Sequence, residues 1–274
     1  MKISFRGLGK LAILAVVLSL GVLVTAARAY HTWGGYHWAR TANPFTLKLG
    51  NNVSSQWTTY LAAASLDWTS SNVLNTTVFP GLSNPKNCKP VSGRVEVCNS
   101  KYGSNGWLGI ASVWVNGNHI TQGTVKLNDT YFSTAKYNTQ AWRQFVVCQE
   151  IGHTFGLAHQ DEGFNNLNMG TCMDYTNDPD GTLFGQLGNL HPNAHDYEEL
   201  ETIYGHLDPF DTLLNISLGN SRSNGGQNVD DDLDTSNPGE WGKVVRESHD
   251  KRSSLHEKDL GNGKKLFTFI IWAE

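Results

Sequence analysis

After residue 24 the chain has no apolar run long enough to cross a bilayer, a length of about 20 residues, so nothing past its start reads as a membrane span. Positive charge is scarce. The 21 Lys and Arg stand against 25 Asp and Glu, a formal charge of −4. That mildly acidic balance argues against a nucleic-acid partner. No internal repeat is present, which excludes solenoid and propeller architectures. Cysteine is limited to four residues, Cys88, Cys98, Cys148 and Cys172.

The one long apolar stretch lies at the very start. Lys2, Arg6 and Lys10 precede Leu11 to Val24, and Ala27-Arg28-Ala29 follows as an A-x-A site. This reads as a signal peptide, residues 1–29, cleaved to leave a secreted, extracellular chain without stable membrane insertion. Cleavage removes four positive charges (Lys2, Arg6, Lys10 and Arg28) and no negative ones, so −4 becomes −8. In that compartment the cysteines are expected to be oxidised, with three pairings open. Cys88 and Cys98 lie close together across a loop.

From Tyr30 the pattern is mixed. Phe45 to Leu49 alternates like a half-buried strand. Ser54 or Ser55 can cap a helix in which Trp57, Leu61, Ala64 and Trp68 recur at helical spacing. Val73–Phe79, Arg94–Val97, Trp107–Val115 and His119–Leu127 read as strands, with Asn116-Gly117 as a tight turn. Asn138 or Thr139 starts a helix that carries Trp142, Phe145 and Val146 on one face. Asn193 and Asp196 look like a capping pair for a last helix that Gly205 stops. The order predicts an α+β domain over residues 30–212. His31 and His37 read as surface or packing residues near the new N-terminus, with a ligand role as the alternative. Residues 213–274 read as a polar linker and tail. Leu266 to Trp272 is a candidate terminal strand, and Asp230-Asp231-Asp232 is a solvated run or, alternatively, a Ca2+ loop.

The chemistry concentrates in Cys148 to Asp161. On a helix Gln149 and His153, four apart, leave the same face, with Glu150 beside them. Gly156 can take a left-handed backbone and end the helix, and His159 can then swing back toward the same point. Two imidazoles, one further polar donor and a carboxylate around one position match a catalytic zinc site with a place left for water.

This stretch resembles the metzincin signature H-E-x-x-H-x-x-G-x-x-H, with Thr171-Cys172-Met173-Asp174-Tyr175 as its Met-turn. Glu150, His153, Gly156, His159 and Met173 match, while Gln149 stands where the family has its first histidine. The resemblance implies a zincin-like fold, a twisted mixed sheet with packed helices, and Zn2+ held by His153 and His159. Gln149 or, in its place, Asp161 completes the ligand set. It implies Glu150 as general base, Tyr175 near the metal, and Met173 as the floor. It also implies a Cys148–Cys172 bridge, because the helix and Met-turn are then neighbours, and an edge strand within Trp107–Val115 that pairs with a protein or peptide substrate. The expected protein is a monomeric metalloendopeptidase. A non-catalytic secreted binding protein on a degenerate scaffold is the alternative that Gln149 leaves open.

Overall fold

The computed structural model describes residues 30–213 and 233–273; the leader, the acidic run at 230–232 and most of the polar stretch before it lie outside the described residues. The described chain builds one mixed sheet of nine strands: β1 His37–Trp38, β2 Phe45–Asn52, β3 Leu74–Pro80, β4 Val95–Ser100, β5 Trp107–Asn116, β6 His119–Asn128, β7 Lys243–Glu247, β8 Ser253–Gly261 and β9 Lys264–Trp272. Their order is β3-β2-β4-β6-β5-β9-β8-β7, and β1 pairs with the start of β6. The half from β3 to β6 is parallel. The half from β6 to β7 is an antiparallel meander.

Helices α1 Thr58–Trp68 and α3 Gln140–His153 lie on one face of this sheet; α2 Asp129–Phe132 is a single turn, and α4 Ala194–Ile203 follows the long loop after α3. The structure is thus α+β. In α1, Leu61, Ala64 and Trp68 are fully buried at helical spacing, and the Trp68 indole donates to Cys148 O at 3.2 Å. One local expectation fails. Neither Ser54 nor Ser55 caps α1, whose N-cap is Trp57 without a side-chain bond. The Ser54 hydroxyl instead accepts from Asn99 Nδ2 at 3.2 Å, and its N–H donates to Asn99 Oδ1 at 2.6 Å. A cross-strand partner has taken the serine. Thr139 caps α3 by accepting from Trp142 N, and Asn193 with Asp196 forms a reciprocal capping box on α4.

The tail differs most from the reading of residues 213–274 as linker. Beyond a candidate terminal strand, it supplies three strands, and all three continue the same sheet. β9 pairs with β5 from Trp107↔Trp272 to Asn116↔Lys264. β5 is therefore interior, and an edge strand within Trp107–Val115 is not what the fold presents. Residues 233–241 cover the sheet's other face, where Trp241 packs with Trp107, Ile110 and Ile270. Beneath them Lys126 Nζ donates to Ser236 Oγ at 2.8 Å, and burial pushes its ammonium down to about 8. Polar, glycine-rich composition signalled solvent here. The strands form because β5 offers an apolar ladder that the tail's own sequence does not reveal.

Candidate metal centre

The site starts at the C-terminal end of α3. Its last carbonyls find partners in the N-terminal segment: Trp33 Nε1 donates to His153 O at 3.0 Å, and Trp38 Nε1 to Thr154 O at 2.9 Å. Gly156 then turns the chain at φ +103°, where a Cβ would press on Tyr36 O. The reversed strand is pinned by His31, whose Nδ1 meets Ala158 O at 3.0 Å and whose Nε2 lies 3.6 Å from Asp196. So His31 is a packing residue, buried beside the turn that carries His159.

That turn brings His153 Nε2 and His159 Nε2 to 3.1 Å from each other. The His153 tautomer follows from its surroundings. Nδ1 lies 2.8 Å from Leu157 O, a pure acceptor, so Nδ1 carries the hydrogen and Nε2 presents a lone pair toward His159. Burial, and then the charge of His159, holds the His153 imidazole well below its usual range, hence neutral. On its other side His159 Nδ1 lies 3.7 Å from Glu162 Oε1, and that contact is the first cause holding the Glu162 carboxyl below the usual range. A carboxylate behind a ligating imidazole orients the ring and strengthens it as a donor.

Gln149, one turn earlier on α3, is completely buried. Its Nε2 donates to Cys172 O at 2.9 Å, which fixes the amide and leaves Oε1 buried without a hydrogen-bond partner. Glu150 is buried as well, and its Oε2 also lacks a partner. Burial pushes the Glu150 carboxyl well up, with a bond from the Ala111 backbone as the lesser, opposing cause. Gly109 makes room for it, since a Cβ there would meet Glu150 Oε1 at 2.8 Å and Val146 at 2.6 Å. Below the helix Met173 Sδ occupies the space of a Gly152 side chain, 2.5 Å from where that Cβ would be. The disulfides are Cys148–Cys172 and Cys88–Cys98, the first tying α3 to the turn that holds Met173.

Asp161 does not join the histidine pair. Its Oδ1 accepts from Gly163 N at 2.6 Å and Asn166 Nδ2 at 2.7 Å, within its own loop. Short loop-closing bonds engage it before it can reach back. Tyr175 is buried with its ring 5.1 Å from that of His159, and its hydroxyl donates to Arg252 O. No part of the described chain supports the Ca2+ reading, and the acidic run that suggested it lies outside the described residues.

Three participants were not visible beforehand. Phe269 of β9 stacks flat on His153, Arg252 takes the Tyr175 hydroxyl, and Glu162 backs His159. Phe269 and Glu162, with Arg246, Ser253, Ser254 and Leu255, close the space beside His159 to about 10 Å3. The alternation of residues 264–272 marks a strand, but nothing local marks what it covers.

No family model matches the sequence, and no curated protein matches it. Among solved structures the chain is similar to high choriolytic enzyme 1, a hatching-enzyme zinc protease from the medaka fish Oryzias latipes. The identity is 10% and the TM-score 0.35, over 63% of this chain and 96% of that one. A likeness that distant carries no argument about activity. No helix among the described residues is long and apolar enough to cross a membrane.

Proposed function

We propose that this chain is a secreted, zinc-dependent peptide hydrolase of metzincin type, held latent by its own C-terminal strand. The observation that carries the reading is the His153–His159 pair, two imidazoles with their Nε2 atoms 3.1 Å apart. Two nitrogens bonded tetrahedrally to one zinc lie about 3.3 Å apart. The orphaned, buried Gln149 Oε1 is the third donor of this reading, a harder and weaker one than imidazole. Zinc bound there would supply an acidified water and a Lewis acid for the peptide carbonyl.

The chain's own residues account for the rest. Glu150 takes a proton from water and returns it to the leaving amine. In its dry pocket burial pushes the carboxyl up and favours its protonated form, so hydration would ready it to accept a proton. β9 stands in the way. It makes the antiparallel ladder along β5 that an extended peptide would make, and its Phe269 covers His153. Its departure, with β8, would open that ladder, wet Glu150 and free the Tyr175 hydroxyl.

The test uses the oxidised full-length chain with zinc and casein. Wild type is compared with Phe269→Ala/Ile271→Ala, which loosens β9, and with that variant carrying Glu150→Gln. Loosening β9 should raise cleavage at least about tenfold, and Glu150→Gln should abolish it. A zinc-loaded, loosened variant that cleaves nothing would favour the second reading, a non-catalytic binding scaffold. The engaged Gln149 amide is the observation on that side.

A further inference from the structure

We propose that His37, His206 and Asp208 form a second zinc site, separate from the His153–His159 pair, that clamps the N-terminal strand to the segment following α4. Among the described residues they are the one group of three His, Cys, Asp or Glu side chains whose ligand atoms all lie within 4.8 Å of one another. His37 Nε2 lies 3.1 Å from His206 Nε2 and 3.5 Å from Asp208 Oδ1, and His206 Nε2 lies 3.8 Å from the same oxygen. These separations bracket the roughly 3.3 Å edge of a tetrahedral zinc centre and need only small closure.

The donors are prepared for a cation. His37 Nδ1 lies 3.0 Å from Gly35 O, so it carries the hydrogen and Nε2 is left as a lone pair. Asp208 Oδ2 is occupied by Arg40, through Nη1 at 2.8 Å and the backbone N–H at 3.3 Å, which turns Oδ1 toward the histidines. His119 Nε2 touches that same Oδ1 at 3.1 Å and positions it. Two imidazoles and one carboxylate oxygen, with an outer shell already holding each in place, form a donor set that suits zinc. His37 and Asp208 are nearly buried, while the His206 side chain is 56% exposed, so an ion can enter from solvent.

The role is structural. His37 and His206 are 169 residues apart, and an ion there would add to the bonds that already join their two segments, among them Thr41 N to Asp211 Oδ1 at 2.9 Å, Asn43 Nδ2 to Tyr204 O at 2.8 Å and Thr212 N to Ala39 O at 2.9 Å. An ion bound only by the folded arrangement stabilises it by mass action.

The experiment measures zinc retained after equilibration with zinc chloride and dialysis, by elemental analysis, together with the melting temperature with and without zinc. His159→Ala disables the first pair and provides the background. In that background zinc should remain at one equivalent per chain and raise the melting temperature. His159→Ala/His206→Ala should lose both the zinc and the rise. Because His206 is half exposed, its truncation should leave the circular dichroism spectrum unchanged. Equal zinc in the two variants, or none in His159→Ala alone, overturns the proposal.

Discussion

The Phe269 ring lies flat on the His153 imidazole, centroids 4.2 Å apart and planes 10° from parallel. A residue near the end of the chain thus seals a histidine of the central helix. The contact is buried on both sides, with Phe269 3% exposed. Phe269→Ala should cost about 3–5 kcal/mol in denaturant unfolding. Amide exchange along β9 should speed up more than exchange in α3. Uniform acceleration of both would mean that β9 does not open independently of the core.

Gln149→His should tighten zinc by more than about tenfold, because an imidazole replaces a neutral amide oxygen on the same helix face. Competition against a chelator of known affinity measures it. Unchanged affinity would show that the position does not face the ion.

Asp174 is buried, and burial raises its carboxyl to about 6, against bonds from Met169 N at 2.7 Å and Asn189 Nδ2 at 2.8 Å. The folded state therefore holds this proton more tightly than the unfolded chain. Its stabilising contribution is complete below the unfolded carboxyl's pKa, near 4, and is lost as pH rises through about 6. Asp174→Asn should flatten the fall in melting temperature across that window. An unaltered slope would assign the dependence to other groups.

Removing the Cys148–Cys172 bridge closes no new contact but frees a loop with a sequence separation of 24 residues. The double alanine variant should lose about 3 kcal/mol. It should also weaken zinc binding, since Cys172 O holds the Gln149 amide. Urea unfolding and a zinc titration report the two effects separately, and loss of stability with unaltered zinc affinity would remove Cys172 from the site.

The parts legible in advance are those that depend on residues within a few turns of one another. Helical spacing alone puts Gln149, Glu150 and His153 on one helix, and Gly156 and Asn193–Asp196 set two helix ends through local backbone and capping preferences. Ser54 shows the limit of that reasoning, since Asn99, 45 residues away, takes the bonds a cap would have made.

The sequence by itself determined that a donor-bearing helix exists, which side chains share its face, and that strands surround it, because these follow from periodicity and turn chemistry. Tertiary structure alone decided that β9 lies on β5, that Phe269 covers His153, that Asp161 stays in its own loop, and that His37, His206 and Asp208 meet. Each of these is a choice of partner over a long separation. A strand's sequence prescribes its alternation but not its neighbour, and a histidine's identity does not prescribe which distant carboxylate it will face. Those choices are made by the global packing of apolar faces, which no local window of residues contains.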